Sequence, residues 1–351
     1  MMPTPSPTTA AAGPLPWRRA LITGGAGFLG SHLTARLLDS GVEVDCLDDL
    51  STGRAGNVQR LAGRAGFRFL QLDVAAPDCR SALTGPYDLV LHLAGPAAPA
   101  DCRRSPLRAL DAASLGTRNA LAVADRDGAR FLLVSAGEAC PPNGDGHADH
   151  HPAHLDRADP VGPVSAFAES KRFAETLVAA HAAAHGSNAG IVRVYDTCGP
   201  GMRPDDGRTV SGLVARAVAG RPVTVPADGH GALSLCYVDD AVDGLLRVAA
   251  GRSVRPVDIG GEEEVPLGRI ARRVIELTGS RAPLRFVDGT DGVDGVDGAA
   301  PPRPDTGFAR ELFGWAPRVT WQEGLARTLA PTAAKTPERN VAYAWTDPPS
   351  S

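Results

Sequence analysis

The stretch Thr23-Gly-Gly-Ala-Gly-Phe-Leu-Gly30 sets Gly24, Gly27 and Gly30 in the spacing G-x-x-G-x-x-G. Glycines so spaced, between a short apolar run and a helical pattern, let the chain turn tightly. They also bring backbone N–H groups against a pyrophosphate at a helix N-terminus. Asp48 closes the next apolar run, at the distance expected of a carboxylate that grips the adenine ribose of a dinucleotide. A carboxylate there selects NAD, because it repels the 2′-phosphate of NADP; Arg54 nearby tempers the selection. Phe28 and Leu29 follow the turn, Val74 follows Asp73, and Leu93 and Ala94 end a fourth run, all candidates for the same cofactor. Asp73 reads equally as an adenine-side contact or as a cap ending its strand.

These residues need a frame. From Ala20 onward, short apolar runs alternate with longer helical patterns, the mark of βαβ units and a parallel sheet, hence an α/β fold. Strands are expected at Ala20–Thr23, Val42–Leu47, Phe67–Asp73, Asp88–Leu93, Phe131–Ser135 and Ile191–Tyr195. Helices are expected near Phe28–Ser40, Pro106–Asp127 and Ser165–His185, and later near Val210–Ala219, Asp239–Ala250, Pro266–Thr278 and Phe308–Phe313. Residues 1–17 read as a disordered leader, 288–300 as a flexible Gly/Asp loop and 331–351 as a disordered tail.

Composition excludes several classes. In 351 residues, 36 basic and 40 acidic side chains leave a net charge of −4, with no electrostatic footprint for nucleic acid. No apolar run is long enough to span a bilayer, and residues 1–17 lack the features of a secretory signal. Cysteines 46, 79, 102, 140, 198 and 236 are widely spaced, without C-x-x-C, which argues against a zinc site or disulfide framework and for a cytoplasmic setting. Of the 36 basic residues only Lys171 and Lys335 are Lys.

With the glycine turn, the segments LDDLSTGRAGNV, HLAGPAAP (92–99), SLGTRNAL (114–121), ESKR (169–172), CGPGM, DDGRTVS, YVDD (237–240), RPD and FGWAP (303–317) fall in one register over about 18–330. In them the chain resembles the extended short-chain dehydrogenases/reductases, and among these the UDP-glucuronic acid decarboxylases. The resemblance implies a Rossmann-type, doubly wound NAD-binding domain over 18–195, with later segments returning to it. It also implies a smaller C-terminal substrate lobe over 196–330 and a homodimer through a helix pair. In that family NAD oxidises C4 of the sugar, the resulting β-keto acid loses CO₂, and the hydride is returned. A Tyr-x-x-x-Lys pair, a Thr/Ser, a Glu, a helix Asn and a late Arg serve the chemistry.

Carried over residue by residue, the pattern breaks at the chemical end. Lys171 is present, but Phe167 stands where the Tyr belongs and has no group to take a proton. Glu138 survives, while Ala136 and Gly137 replace hydroxyl residues. The helix Asn falls on Ala113, the late Arg on Leu233, and a substrate-contacting Asn on Asp196. Arg208 and Arg303 remain as phosphate contacts. Two readings follow. Either Glu138, Lys171 or Tyr195 performs altered acid–base chemistry on a nucleotide sugar or related metabolite, or the chain is a catalytically silent NAD-binding scaffold or partner. Losing a general base typically costs about 10²–10⁴-fold.

Other constellations have bland alternatives. His147, His150, His151 and His154, with Asp145 and Asp149, read as a polar surface loop rather than a metal site. Ser135 reads as satisfying backbone, with chemistry as the lesser option. Cys140 and Cys198 read as buried small side chains. The Ala-rich stretch Phe173–His185 suits either a dimer face or plain core.

Overall fold

The structure is a computed structural model and describes residues 15–139, 166–203, 207–227, 231–288 and 303–330. Its centre is the run Ala20–Ile22, wholly buried, in β1 (Arg19–Thr23). Runs buried on both faces make central parallel strands, and this one is flanked by others like it. β2 (Glu43–Asp48), β3 (Phe67–Gln71), β4 (Leu89–His92), β5 (Arg130–Ala136) and β6 (Ala189–Val194) follow in turn. Beyond them lie β7 (Thr197–Cys198), β8 (Val223–Pro226), β9 (Ala232–Leu233), β10 (Cys236–Tyr237), β11 (Val257–Ile259), β12 (Val265–Pro266) and β13 (Leu284–Val287).

The helices of the first half are α1 (Phe28–Asp39), α2 (Ala55–Gln59), α3 (Cys79–Ala82), α4 (Pro99–Arg104), α5 (Pro106–Asp111), α6 (Thr117–Asp127) and α7 (Ala166–His185). The second half adds α8 (Thr209–Val218), α9 (Val238–Ala250), α10 (Leu267–Thr278), α11 (Gly307–Phe313) and α12 (Trp321–Leu329).

Seven strands form one parallel sheet in the order β11-β6-β5-β4-β1-β2-β3. Successive residues of a strand face opposite sides, and the core divides accordingly. Ile22, Leu91, Leu132 and Val192 pack with Leu33 and Leu37 of α1 and Leu245 of α9. Leu21, Val90, Phe131 and Ile191 pack with Leu121 of α6 and Val178 of α7. The chain winds outward to β3, then restarts at β4 on the other side of β1. Ligands of open α/β sheets sit where the order reverses, at the carboxyl ends of the strands. The fold is the doubly wound Rossmann-type sheet expected. Segments after residue 195 build the pairs β7–β10, β9–β12 and β8–β13, while β11 returns to the main sheet beside β6.

Local differences have physical causes. The helix expected over Pro106–Asp127 runs that length but widens at Ala112–Gly116 into a turn of π type. Helix α12 carried a legible cap that the periodicity did not reveal: Thr320 accepts from the Glu323 amide at 3.3 Å. Trp17, within the expected leader, is buried in the core cluster that contains Ala20, Ile22 and Leu33. Residues 1–14 of the leader, the His-rich loop with Cys140, most of the Gly/Asp loop and the tail from 331 lie outside the described residues.

Trp315, 1% exposed, ties the C-terminal segments to the sheet. Its indole N–H donates to the Asp240 carbonyl at 2.9 Å, and the Asp240 carboxylate accepts from the Arg318 and Val319 amides at 2.8 Å. Trp315→Ala should therefore destabilise the protein by about 3–5 kcal/mol, read from the denaturant midpoint.

His92 at the end of β4 lies between Thr23 Oγ1 (2.7 Å) and Thr117 Oγ1 (3.2 Å). Burial first, and then the Lys171 charge, push its pKa from 6.5 down to about 3. Unfolded chains bind a proton at this residue below pH 6.5 while the folded one stays neutral, so stability falls as pH drops through that window. Between pH 6.5 and 5 this group should remove about 2 kcal/mol. Denaturation of wild type and His92→Asn at both pH values should show a flatter dependence in the variant.

Candidate active site

Gly24 occupies the left-handed region (φ +75°), and a Cβ there would lie 2.8 Å from the Ala94 nitrogen and the Leu93 carbonyl carbon. No side chain fits, so the turn after β1 lies directly on the chain leaving β4. Gly27 precedes α1 in extended conformation with no side-chain cap on the helix. A Cβ on it would meet, within 4 Å, the Gly24 carbonyl oxygen at 3.0 Å and nothing else. The side chain is missing where a ligand must approach, and the first amides of α1 stay available as donors. At Gly30 a Cβ would strike the Gly24 carbonyl, so this glycine lets the helix pack on the turn.

Asp48, 8% exposed, accepts from the Ala26 amide at 2.9 Å through Oδ2 and from the Leu50 amide at 2.8 Å through Oδ1. Burial pushes its carboxyl up, and those amide donors oppose the shift. Leu50 takes a positive φ of 62° to reach it. Asp73 Oδ1 accepts from the Ala75 amide at 2.8 Å, and Asp73 also lines the cleft. Phe28, Leu29, Val74, Leu93 and Ala94 line the same cleft, whose volume is about 620 Å³. Dinucleotide-shaped space, open amides and a buried carboxylate at the second strand fit NAD.

The inner end is different. Lys171 of α7 lines it, with Nζ 5.9 Å from the centre of the Phe167 ring. Phe167 is 4% exposed, packs with Cys102, Ala109 and Ala136, and lines the cleft beside Lys171. Gly137 lies under Tyr195: a Cβ on it would be 2.5 Å from Tyr195 Cε1. The tyrosine ring thus fills the room of the missing side chain. Its hydroxyl donates to Asp258 Oδ2 at 2.8 Å, and Asp258, pushed up by burial, also accepts from the Asp305 amide at 3.0 Å. Ser135 lines the cleft at 3% exposure, and its buried hydroxyl has no hydrogen-bond partner among the described residues, so it does not satisfy backbone. Glu138 falls in the single turn Gly137–Ala139 that ends β5.

Ala113 borders a small cavity of about 20 Å³ with His92, Thr117, Ser170 and Lys171, enough for one water. Leu233, Asp196 and Arg208 line the main cleft; Arg208 precedes α8 and donates to the Ala97 carbonyl. Arg303 is not among the lining residues: it is 67% exposed and pairs with Glu264 at 3.2 Å. Residues that sequence reasoning passed over also face the cleft. Arg203 holds both oxygens of Asp101 at 2.7 Å, and Arg108 meets Asp49 at 2.5 Å. Only the run of arginines in C-R-R-S-P-L-R hinted at them; nothing local joins Asp101 to a residue so far along the chain.

The five described cysteines are free and buried. Among the described residues no helix is long and apolar enough to cross a membrane, and no cluster is arranged to hold a metal ion.

Comparison with known proteins agrees with this geometry. The NAD dependent epimerase/dehydratase family matches residues 20–260. UDP-glucuronic acid decarboxylase 3 of Arabidopsis thaliana is 36% identical over 325 residues, 92% of this chain and 91% of that protein. UDP-glucuronic acid decarboxylase 1 of Xenopus tropicalis is 35% identical over 315 residues, 89% of this chain and 71% of that protein. Among solved structures, an epimerase of Methanothermobacter thermautotrophicus superposes with a TM-score of 0.77 at 23% identity, covering 89% of this chain and 91% of that one. The UDP-glucose 4-epimerase of Thermus thermophilus, solved in complex with NAD, gives 0.69 at 25% identity, covering 89% and 97%. On these grounds the chain belongs to the NAD dependent epimerase/dehydratase family, with NAD as its cofactor.

Proposed function

We propose that the chain acts on a nucleotide sugar with NAD bound along Gly24–Gly30, by a UDP-glucuronate decarboxylase-like route whose acid–base residues are non-standard. One observation carries this reading: a single cleft is lined by the glycine turn, Asp48, Lys171 and Phe167, four residues before that lysine. The similarity to UDP-glucuronic acid decarboxylases along nearly the whole chain supports the substrate class.

NAD, when bound, supplies a hydride acceptor. In this reading Asp48 holds the adenosine ribose and the α1 amides hold the pyrophosphate. Lys171 holds the nicotinamide ribose. Arg208 meets the phosphates of the sugar nucleotide, and Arg303 would reach them only by leaving Glu264. Proton transfer falls to Glu138, to Lys171, or to Tyr195 in exchange with Asp258. Asp196 disfavours an anionic group at its end of the cleft. A second reading, a catalytically silent NAD-binding partner, is favoured by the apolar surround of Phe167 and Ala136.

Purified protein should carry or take up NAD and release CO₂ from UDP-glucuronate well below the rate of a tyrosine-bearing relative. Protein that neither contains nor binds NAD would sink both readings, and turnover at a relative's rate would sink the silent one. Phe167→Tyr should raise hydride transfer by about 10²-fold or more, the low end of a general base's typical contribution; no gain would place the damage in Ala136, Gly137 and Ala113 as well.

The homodimer belongs to the same reading. Leu107, Leu110, Leu115 and Phe173 are exposed apolar side chains on α5, the turn after it, and α7. A second copy covering that face accounts for them. Light scattering should give twice the chain mass, and Leu107→Glu with Phe173→Glu should give monomers.

A further inference from the structure

The chain leaving β6 meets the chain leaving β2, although β5, β4 and β1 separate those strands in the sheet. Contacts between the two segments must therefore cross the carboxyl ends of the intervening strands, where the Gly24–Gly30 turn stands. Residues 199–203 make that crossing as a strap. The Pro200 carbonyl lies 2.8 Å from His32 Nε2 on α1, and the Met202 carbonyl accepts from Arg54 at 3.4 Å. Arg203 Nη1 donates to the Thr52 carbonyl at 3.3 Å. Gly201, at φ +88°, has no room for a side chain without crowding Arg60 Nη2 (3.1 Å) and Asn57 Oδ1 (3.2 Å), so the strap lies low.

The strap is latched on the far side. Arg203 Nη2 donates to both oxygens of Asp101 on α4, each at 2.7 Å, with the Asp101 side chain 6% and that of Arg203 19% exposed. A charge pair this shielded, with two close hydrogen bonds, opens rarely. Thr52, Asp101, Gly201, Met202 and Arg203 line the cleft that also contains Gly27 and Asp48.

We infer that Asp101 and Arg203 form a clamp that retains the dinucleotide, acting as positioning residues on the cofactor's release rather than on the chemistry. The inference rests on the NAD-binding reading. Because residues 199–203 reach from the segment after β6 to the one after β2, past the turn at β1, and Arg203 latches them to Asp101, a dinucleotide lying along the turn leaves freely only after the latch parts. Its expected consequence is slow cofactor exchange, which suits a reaction that returns its hydride.

The test uses full-length, NAD-loaded protein diluted into ethanol and alcohol dehydrogenase, which converts released NAD to NADH as it appears. Arg203→Ala and Asp101→Asn should each release NAD about tenfold faster or more. Arg203→Lys should fall between, because Lys keeps the charge but not the fork. The double reversal Asp101→Arg with Arg203→Asp should return towards slow release. Wild-type release from both single variants would overturn the clamp. So would faster release matched by an equal fall in the melting temperature of the cofactor-free protein and not rescued by the reversal. Wild-type protein that neither carries nor takes up NAD would overturn the cofactor reading itself. Asp101→Asn is nearly isosteric, so it decides the question even where Arg203→Ala fails to fold.

Discussion

The cleft depends on one contact between two stretches of backbone. Gly24 lies against Leu93 and Ala94 so closely that a single added carbon would overlap them. That approach is possible because β1 and β4 are neighbours running in the same direction, with Thr23 paired to His92, so both chains leave the sheet at the same edge. Everything else at the site is referred to it: α1 starts just beyond, its amides face the cleft, and β2 delivers Asp48 to the same edge. The Gly30–Gly24 packing then fixes how far α1 stands from the turn.

Around this rigid half, the inner half is remodelled in a mutually consistent way. Phe167 alone would have left a polar recess without its hydroxyl; instead Ala136 lines it, and Tyr195 fills the volume over Gly137. The Tyr195 hydroxyl is then satisfied by Asp258, itself held by the Asp305 amide. Gly137 and the Tyr195 ring are matched by packing, since interiors tolerate neither voids nor overlap.

The fold was largely legible because its signal is local. Buried strands such as Ala20–Ile22 are apolar throughout, and the glycine turn announces itself by the residues on either side. Asp48 was found for the same reason, a short distance along the chain from the turn it serves. Less visible were the short helices α2, α3 and α4, too brief to show a period, and the widening at Ala112–Gly116, where helical periodicity continues through a change of pitch.

Residue types and spacing by themselves determined the dinucleotide turn and the acid that accompanies it, and the resemblance to the UDP-glucuronic acid decarboxylases singled out Lys171 and Phe167. These are properties of identity at a position, which the sequence states outright. Tertiary structure alone decided that Arg203 grips Asp101, that Tyr195 donates to Asp258, that the Ser135 hydroxyl has no hydrogen-bond partner among the described residues, and that Arg303 pairs with Glu264 away from the cleft. Each depends on which loops meet above the sheet. That meeting is set by strand order, and strand order is a long-range property that no short stretch of sequence contains.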